Sequence, residues 1–221
     1  MSPKPDVAAP PRIRPRGVRT KGAWLLVVPF FLLATPSAGA LLVGALLTAL
    51  GLGVRAWAAG TIRKDESLTT TGPYAYARHP LYLGSFLIGI GLALAGGHWI
   101  WPVAVVTYFV LVYSPTIREE AERLTELFGH RYVHYARRVP ALIPRLRPYA
   151  PGADAPVLAW PSAAAGLPAA DTAPEGEGDA DREGAEGAFS WRRYRRNREW
   201  EALVGALAAF VVLAIEMRMR G

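Results

Sequence analysis

Apolar residues fall in long blocks along this chain, separated by short polar or basic stretches. Blocks at 22–35, 37–59, 81–97 and 99–115 predict helices that sit in a bilayer. A helix satisfies its own backbone there, and about 20 residues cross the hydrocarbon. Pro36 parts the first two blocks and Gly96-Gly97-His98 the last two, so the pattern predicts two helical hairpins. The first block is short for a crossing and carries Pro29, with Lys21 and Trp24 placed to anchor it at the interface. Pro80 can open the third helix, at a position where its missing N–H costs nothing. From 116 to 138 the pattern turns charged. Leu124, Leu127 and Phe128 fall on one side, which predicts cytoplasmic helices broken at Gly129 and stopped at Val139-Pro140.

Composition supports that reading. The chain has 221 residues, 52% of them hydrophobic, which is more apolar than a soluble domain of this length. Its net charge of +7 would suit nucleic acid, but the Lys and Arg flank the apolar blocks instead. They cluster before the first helix (Arg12, Arg14, Arg16, Arg19, Lys21), between the second and third (Arg55, Arg63, Lys64, Arg78), and after the fourth (Arg118, Arg123, Arg131, Arg137, Arg138). The turns at Pro36 and Gly96-Gly97 have none, so the basic side is expected to be cytoplasmic, in a bacterial inner membrane. Absence of cysteine excludes disulfides, thiolate catalysis and thiolate-bound metal. No small-residue cleavage site follows the first block, so it reads as retained rather than as a signal peptide.

The remainder divides by composition. Residues 1–20 read as a flexible basic arm and 21–147 as a membrane core. Residues 148–190, rich in Ala, Pro, Gly and acidic side chains, read as a disordered linker. Within 191–221, residues 191–200 hold five Arg and three aromatics, and the apolar run 202–215 follows. The run is expected to be an additional transmembrane helix, and the arginines are expected to meet anionic lipid headgroups rather than nucleic acid. The expected fold is therefore an all-α integral membrane protein with two transmembrane hairpins, a cytoplasmic helical segment and a C-terminal membrane helix.

Two polar clusters stand at the mouths of adjacent helices. The first is Thr71-Gly72-Pro73-Tyr74-Ala75-Tyr76-Ala77-Arg78-His79-Pro80-Leu81-Tyr82-Leu83-Gly84; the second is Arg118-Glu119-Glu120-Ala121-Glu122. Ionisable groups at a membrane boundary are costly and usually functional. Tyr74 and Tyr76 can equally be interfacial aromatics. Glu122 and Glu126 read as a solvated face. His130 and His134 have helical spacing for a metal, but no cysteine or further ligand supports one, and no metal site is expected.

Residues 68–147 resemble the catalytic region of the isoprenylcysteine carboxyl methyltransferases and the related phospholipid methyltransferases. The resemblance rests on four pieces in order: TGPYAYARHPLYLG, REEAERL, FGHRYVHYARRVP and Ile143-Pro144. It implies an integral membrane enzyme that uses S-adenosylmethionine without a Rossmann domain. No strand with a Gly-rich phosphate turn is present, and Gly51-Leu52-Gly53 suits helix packing. The resemblance further implies that Arg78 and Glu119 are a catalytic or substrate-orienting pair. His79, Pro80, Tyr82, Glu120, Tyr132 and Tyr135 would line the cofactor pocket. The acceptor would be a lipid-like or prenylated amphiphile. A carboxylate acceptor needs a cationic clamp, which Arg78 suits. An amine acceptor, as in phospholipid N-methylation, needs a carboxylate to take its proton. A non-catalytic membrane scaffold of the same fold is the third reading.

Overall fold

A computed structural model describes residues 26–62, 68–150, 189–197 and 199–220. The basic arm at 1–20 and the linker from 151 to 188 lie outside the described residues. Within them the chain is helical, with no strand. The helices are α1 (26–33), α2 (Ala38–Thr61), α3 (Pro80–Ala95), α4 (Ile100–Phe128), α5 (His130–Arg138), α6 (Trp191–Arg196) and α7 (Trp200–Arg220). Three of them, α2, α4 and α7, are long and apolar enough to cross a membrane, while α3 is a shorter apolar helix beside them. The chain is an integral membrane protein.

Small residues let α2 and α3 approach closely. A Cβ on Gly44 would lie 2.4 Å from the Gly91 carbonyl oxygen, and one on Gly51 would lie 2.7 Å from that of Gly84. Lipid tails give apolar helices no hydrophobic reason to associate, so close backbone contact supplies the attraction. Gly51 thus serves helix packing as the sequence suggests, whereas a Cβ on Gly53 would meet open space.

The two tight turns touch at one end of the bundle. The Thr35 N–H donates to the Gly96 oxygen at 2.9 Å. Gly97, at φ +77°, lies where any Cβ would strike the Thr35 carbonyl.

Helix α4 departs from expectation. The sequence reading ends a membrane helix at 115 and begins a cytoplasmic one at 116, but one helix of 29 residues runs through Pro115. An interior proline removes one backbone bond and its ring crowds the carbonyl four residues back, a cost that the rest of this helix outweighs. The Thr116 hydroxyl bonds the Val112 carbonyl at 2.9 Å in the same turn. At 1.5 Å per residue, Glu120 stands about 30 Å from Ile100, roughly the thickness of the hydrocarbon. The turns and the polar clusters thus occupy opposite faces of the bundle.

The tail packs on the core. Leu213 of α7 is fully buried with Ala34 and Ala95, among Phe30, Phe31, Leu41 and Phe210. Arg220 donates to the carbonyls of Leu32, in the last turn of α1, and of Ala34, just beyond it. At the other end, Arg193 Nε donates to the Gly60 oxygen at 2.9 Å and Asn197 Nδ2 to that of Ala59 at 2.8 Å. These carbonyls end α2 and have no acceptor duty within the helix. Arg55 of α2 pairs with Glu199 at 2.7 Å, with side chains 22% and 8% exposed, and reaches Ser85 of α3.

Candidate functional site

The segment between α2 and α3 is shaped by pairing with the chain that follows α5. Gly72, at φ +59°, leads into a single 3-10 turn over Gly72–Ala75. Four backbone bonds then fix residues 75–79. Arg78 N–H donates to the Pro140 oxygen and His79 N–H to that of Ala141, both at 2.9 Å. Arg145 N–H reaches the Tyr76 oxygen at 3.0 Å, and Tyr149 N–H that of Ala75 at 2.9 Å. The Tyr135 hydroxyl donates to the Tyr74 carbonyl at 2.6 Å. Beneath this clamp, Tyr132, Tyr135 and Val139 form a buried cluster with Leu68, Leu124, Phe128 and Tyr149. Val139-Pro140, which ends α5, therefore also turns the chain to meet the Arg-His-Pro motif.

The motif side chains converge on α4 and α5. Arg78 Nη1 donates to the Tyr132 hydroxyl at 3.1 Å, while its Nε is buried with no hydrogen-bond partner. Pro80 is buried and opens α3. The Tyr82 hydroxyl donates to Glu120 Oε2 at 3.0 Å. Its ring stacks on His79 at 5.4 Å and meets the edge of Tyr113 at 5.2 Å. His79 Nδ1 lies 3.6 Å from Glu120 Oε2, and its Nε2 is buried without a partner. Burial, followed by the neighbouring Arg78 charge, lowers the His79 pKa to about 4. The ring is thus neutral at neutral pH, and its contact with Glu120 is not an ion pair there. Burial, with Glu120 next in effect, pushes the Tyr74 phenol up, so it stays protonated, and its hydroxyl has no partner. Tyr135 is likewise held protonated by burial, consistent with its role as a donor.

The structure brings together Arg78, His79, Pro80, Tyr82, Glu120, Tyr132 and Tyr135. It does not bring Glu119 to Arg78. Glu119 is exposed and makes no hydrogen bond or ion pair among the described residues. The carboxylate facing the motif is Glu120, one residue and about 100° further round the helix. One contributor escaped the sequence reading and another was left open by it. Tyr74, readable as a site residue or a belt aromatic, is buried. Tyr113 lies two turns before Glu120 on the same face of α4, a spacing that could have revealed it. His134 meets the Tyr149 hydroxyl at 3.2 Å. Among the described residues no group of three or more His, Asp or Glu is gathered to hold a metal.

Apolar helices carrying an Arg-His-Pro-x-Tyr mouth over a carboxylate, with no strand among the described residues, are the arrangement expected from the resemblance to membrane-embedded methyltransferases. The family model described as phospholipid methyltransferase matches residues 32–131. The chain is 34% identical over 160 residues to the nickel-cobalt-cadmium resistance protein NccN of Alcaligenes xylosoxydans xylosoxydans, covering 66% of this chain and 75% of that protein. It is 36% identical over 141 residues to the cobalt-zinc-cadmium resistance protein CzcN of Cupriavidus metallidurans, covering 58% and 65%. With the protein-S-isoprenylcysteine O-methyltransferase of Schizosaccharomyces pombe it shares 35% identity over 81 residues, 37% of this chain but only 34% of that enzyme. No solved structure matches. The chain belongs to the family of integral membrane methyltransferases that includes the isoprenylcysteine carboxyl methyltransferases and the phospholipid methyltransferases.

Proposed function

We propose that the chain transfers a methyl group from S-adenosylmethionine to the carboxylate of a lipid-like amphiphile, at the cytoplasmic face of a bacterial inner membrane. The observation that carries this is Arg78, a guanidinium oriented by Tyr132 with its Nε buried and unpaired, next in the chain to the His79 that meets the half-exposed Glu120. A buried donor left without a partner costs stability, which argues for a ligand that completes it.

The residues fit the cofactor. Arg78 Nε, His79 Nε2 and the Tyr74 hydroxyl are three buried polar atoms awaiting partners. Glu120 suits ribose hydroxyls or an ammonium group, and the stacked Tyr82 and His79 rings, with Tyr113, offer faces to a sulfonium or an adenine. S-adenosylmethionine would supply a methyl group already activated on sulfur, so the chain has only to bind, orient and exclude water. Arg78 would grip the acceptor carboxylate, which is anionic at neutral pH and needs no general base. His79, held neutral, would add no second positive charge beside the sulfonium. The acceptor would enter from the bilayer between apolar helices, and the donor from the aqueous face. In this reading Glu120 takes the site role that the resemblance gave to Glu119.

N-methylation of a phospholipid amine is the second reading, favoured by the description of the matching family model. Incubating membranes with methyl-labelled donor separates the two. An ester label is lost in mild base, and transfer stays flat as pH rises above about 6, because the carboxylate is already ionised. A base-stable label, with transfer rising towards pH 9, would overturn carboxyl methylation. The names of the two resistance proteins extend the reading to a setting, tolerance of divalent metals. Growth in cobalt of a strain carrying Arg78→Ala tests whether methyl transfer serves it.

A further inference from the structure

We propose that the cleft between α2 and the α6–α7 junction binds an anionic phospholipid, its acyl chain between the helices and its phosphate on the arginines of α6. The cleft has a volume of about 230 Å³ and apolar walls from Leu52, Gly53, Ala56 and Leu203. A Cβ on Gly53 would meet nothing within 4 Å, so the wall is open where a side chain would otherwise fill it. Tyr194 lies at the rim, and the Arg55–Glu199 pair closes the polar end. Leu207 and Val211 continue the apolar line of Leu203 down α7 and are 58% exposed each, which gives a chain a path into the bilayer.

Depth and charge name the occupant. Arg193 and Asn197 tie α6 to the last carbonyls of α2, which holds α6 at the bilayer face. Arg193 is committed to that tie, while Arg195 and Arg196 are exposed. Trp191 and Trp200 flank them at 71% and 50% exposure, as interfacial aromatics do. Exposed basic side chains and an indole on the short helix that lends Tyr194 to the cleft match a negative headgroup above a hydrocarbon chain. A second copy of this chain would bring like charge to the same place. The cleft shares no lining residue with the Arg78 site, so this binding stands or falls independently of methyl transfer.

The test uses the full chain in neutral detergent, with lipid binding read by native mass spectrometry and by thermal midpoint. Phosphatidylglycerol is expected to bind at least about tenfold more tightly than phosphatidylcholine, and glycerol phosphate not to compete. Arg195→Gln with Arg196→Gln should weaken phosphatidylglycerol roughly 25-fold, the product of two basic side chains worth about fivefold each at an anionic surface. Gly53→Leu should fill the cleft and weaken the same lipid without lowering the lipid-free midpoint. If that variant does not fold, Leu203→Trp closes the cleft from the bilayer side and asks the same question. Equal binding of the two lipids, or full binding in both the arginine and the cleft variants, overturns the proposal. Effective competition by glycerol phosphate overturns the acyl-chain half of it and leaves a phosphate site alone.

Discussion

At the scale of single residues, the site depends on how a few polar atoms are held where membrane and water meet. Arg78 is oriented through one nitrogen by Tyr132 and keeps another unpaired. Arg78→Ala is expected to lower kcat/KM by about a hundredfold or more, since a positioned charge on the reacting group is worth that much. Arg78→Lys should recover little, because an ammonium cannot grip a carboxylate bidentately. Retained activity in a folded Arg78→Ala protein would refute the clamp. Glu120→Gln and Glu119→Gln, assayed side by side, should differ, with the larger loss at Glu120. A larger loss at Glu119 would return the role to the exposed residue. His79 makes a prediction about pH. Its folded pKa of about 4 lies below the ordinary 6.5, so the unfolded chain takes up a proton first as pH falls. Its contribution is whole above pH 6.5 and is lost between there and 4, on the order of 3 kcal/mol in total. Thermal midpoints of the wild type should therefore fall over that window, and those of His79→Asn should fall less.

At the scale of elements, two kinds of contact hold the site, one between membrane helices and one between a loop and a clamp. The α2–α3 contact depends on missing side chains. Gly51→Ala is expected to push the helices apart, because its Cβ would press on the Gly84 backbone, whereas Gly53→Ala should be neutral. Comparing their thermal midpoints checks this, and equal values would show that the close packing contributes nothing. The clamp depends on hydrogen bonds. Tyr135→Phe would leave the Tyr74 carbonyl without its side-chain donor, at a cost of about 1–3 kcal/mol for a buried group. It should also lower activity, since residues 75–79 hang from the same pairing.

At the scale of the whole molecule, the tail is part of the bundle. The sequence reading treats 191–221 as a unit added to the core, yet α7 buries Leu213 against α1 and α3, and Glu199 reaches Arg55 across 144 positions. Removing residues 189–221 should lower the thermal midpoint by several degrees, through lost apolar burial and an Arg55 that loses its carboxylate partner. Glu199→Ala alone should reproduce part of that fall. An unchanged midpoint in both would show the contacts to be energetically idle.

Much of this architecture was legible in the sequence. Blocks of apolar residues have one outcome in a bilayer, so their helical state and the membrane setting followed from the backbone's need for hydrogen bonds, while three of the helices are long enough to cross. The Arg-His-Pro-x-Tyr run and the charged start of 116–138 marked the candidate site, because ionisable groups at a membrane boundary need a reason, and the order of the motifs carried the resemblance to the family. What the sequence left open was everything that depends on which residues face each other. Helix phase decided that Glu120, and not Glu119, meets Tyr82. Continuity through Pro115 carried α4 beyond the point where proline alone would have ended it. Burial removed Tyr74 from the interfacial belt, a choice the sequence left open. Contact between positions more than a hundred residues apart joined the tail to the core. These are properties of orientation and long-range packing, which local hydrophobicity does not encode and only the folded chain decides.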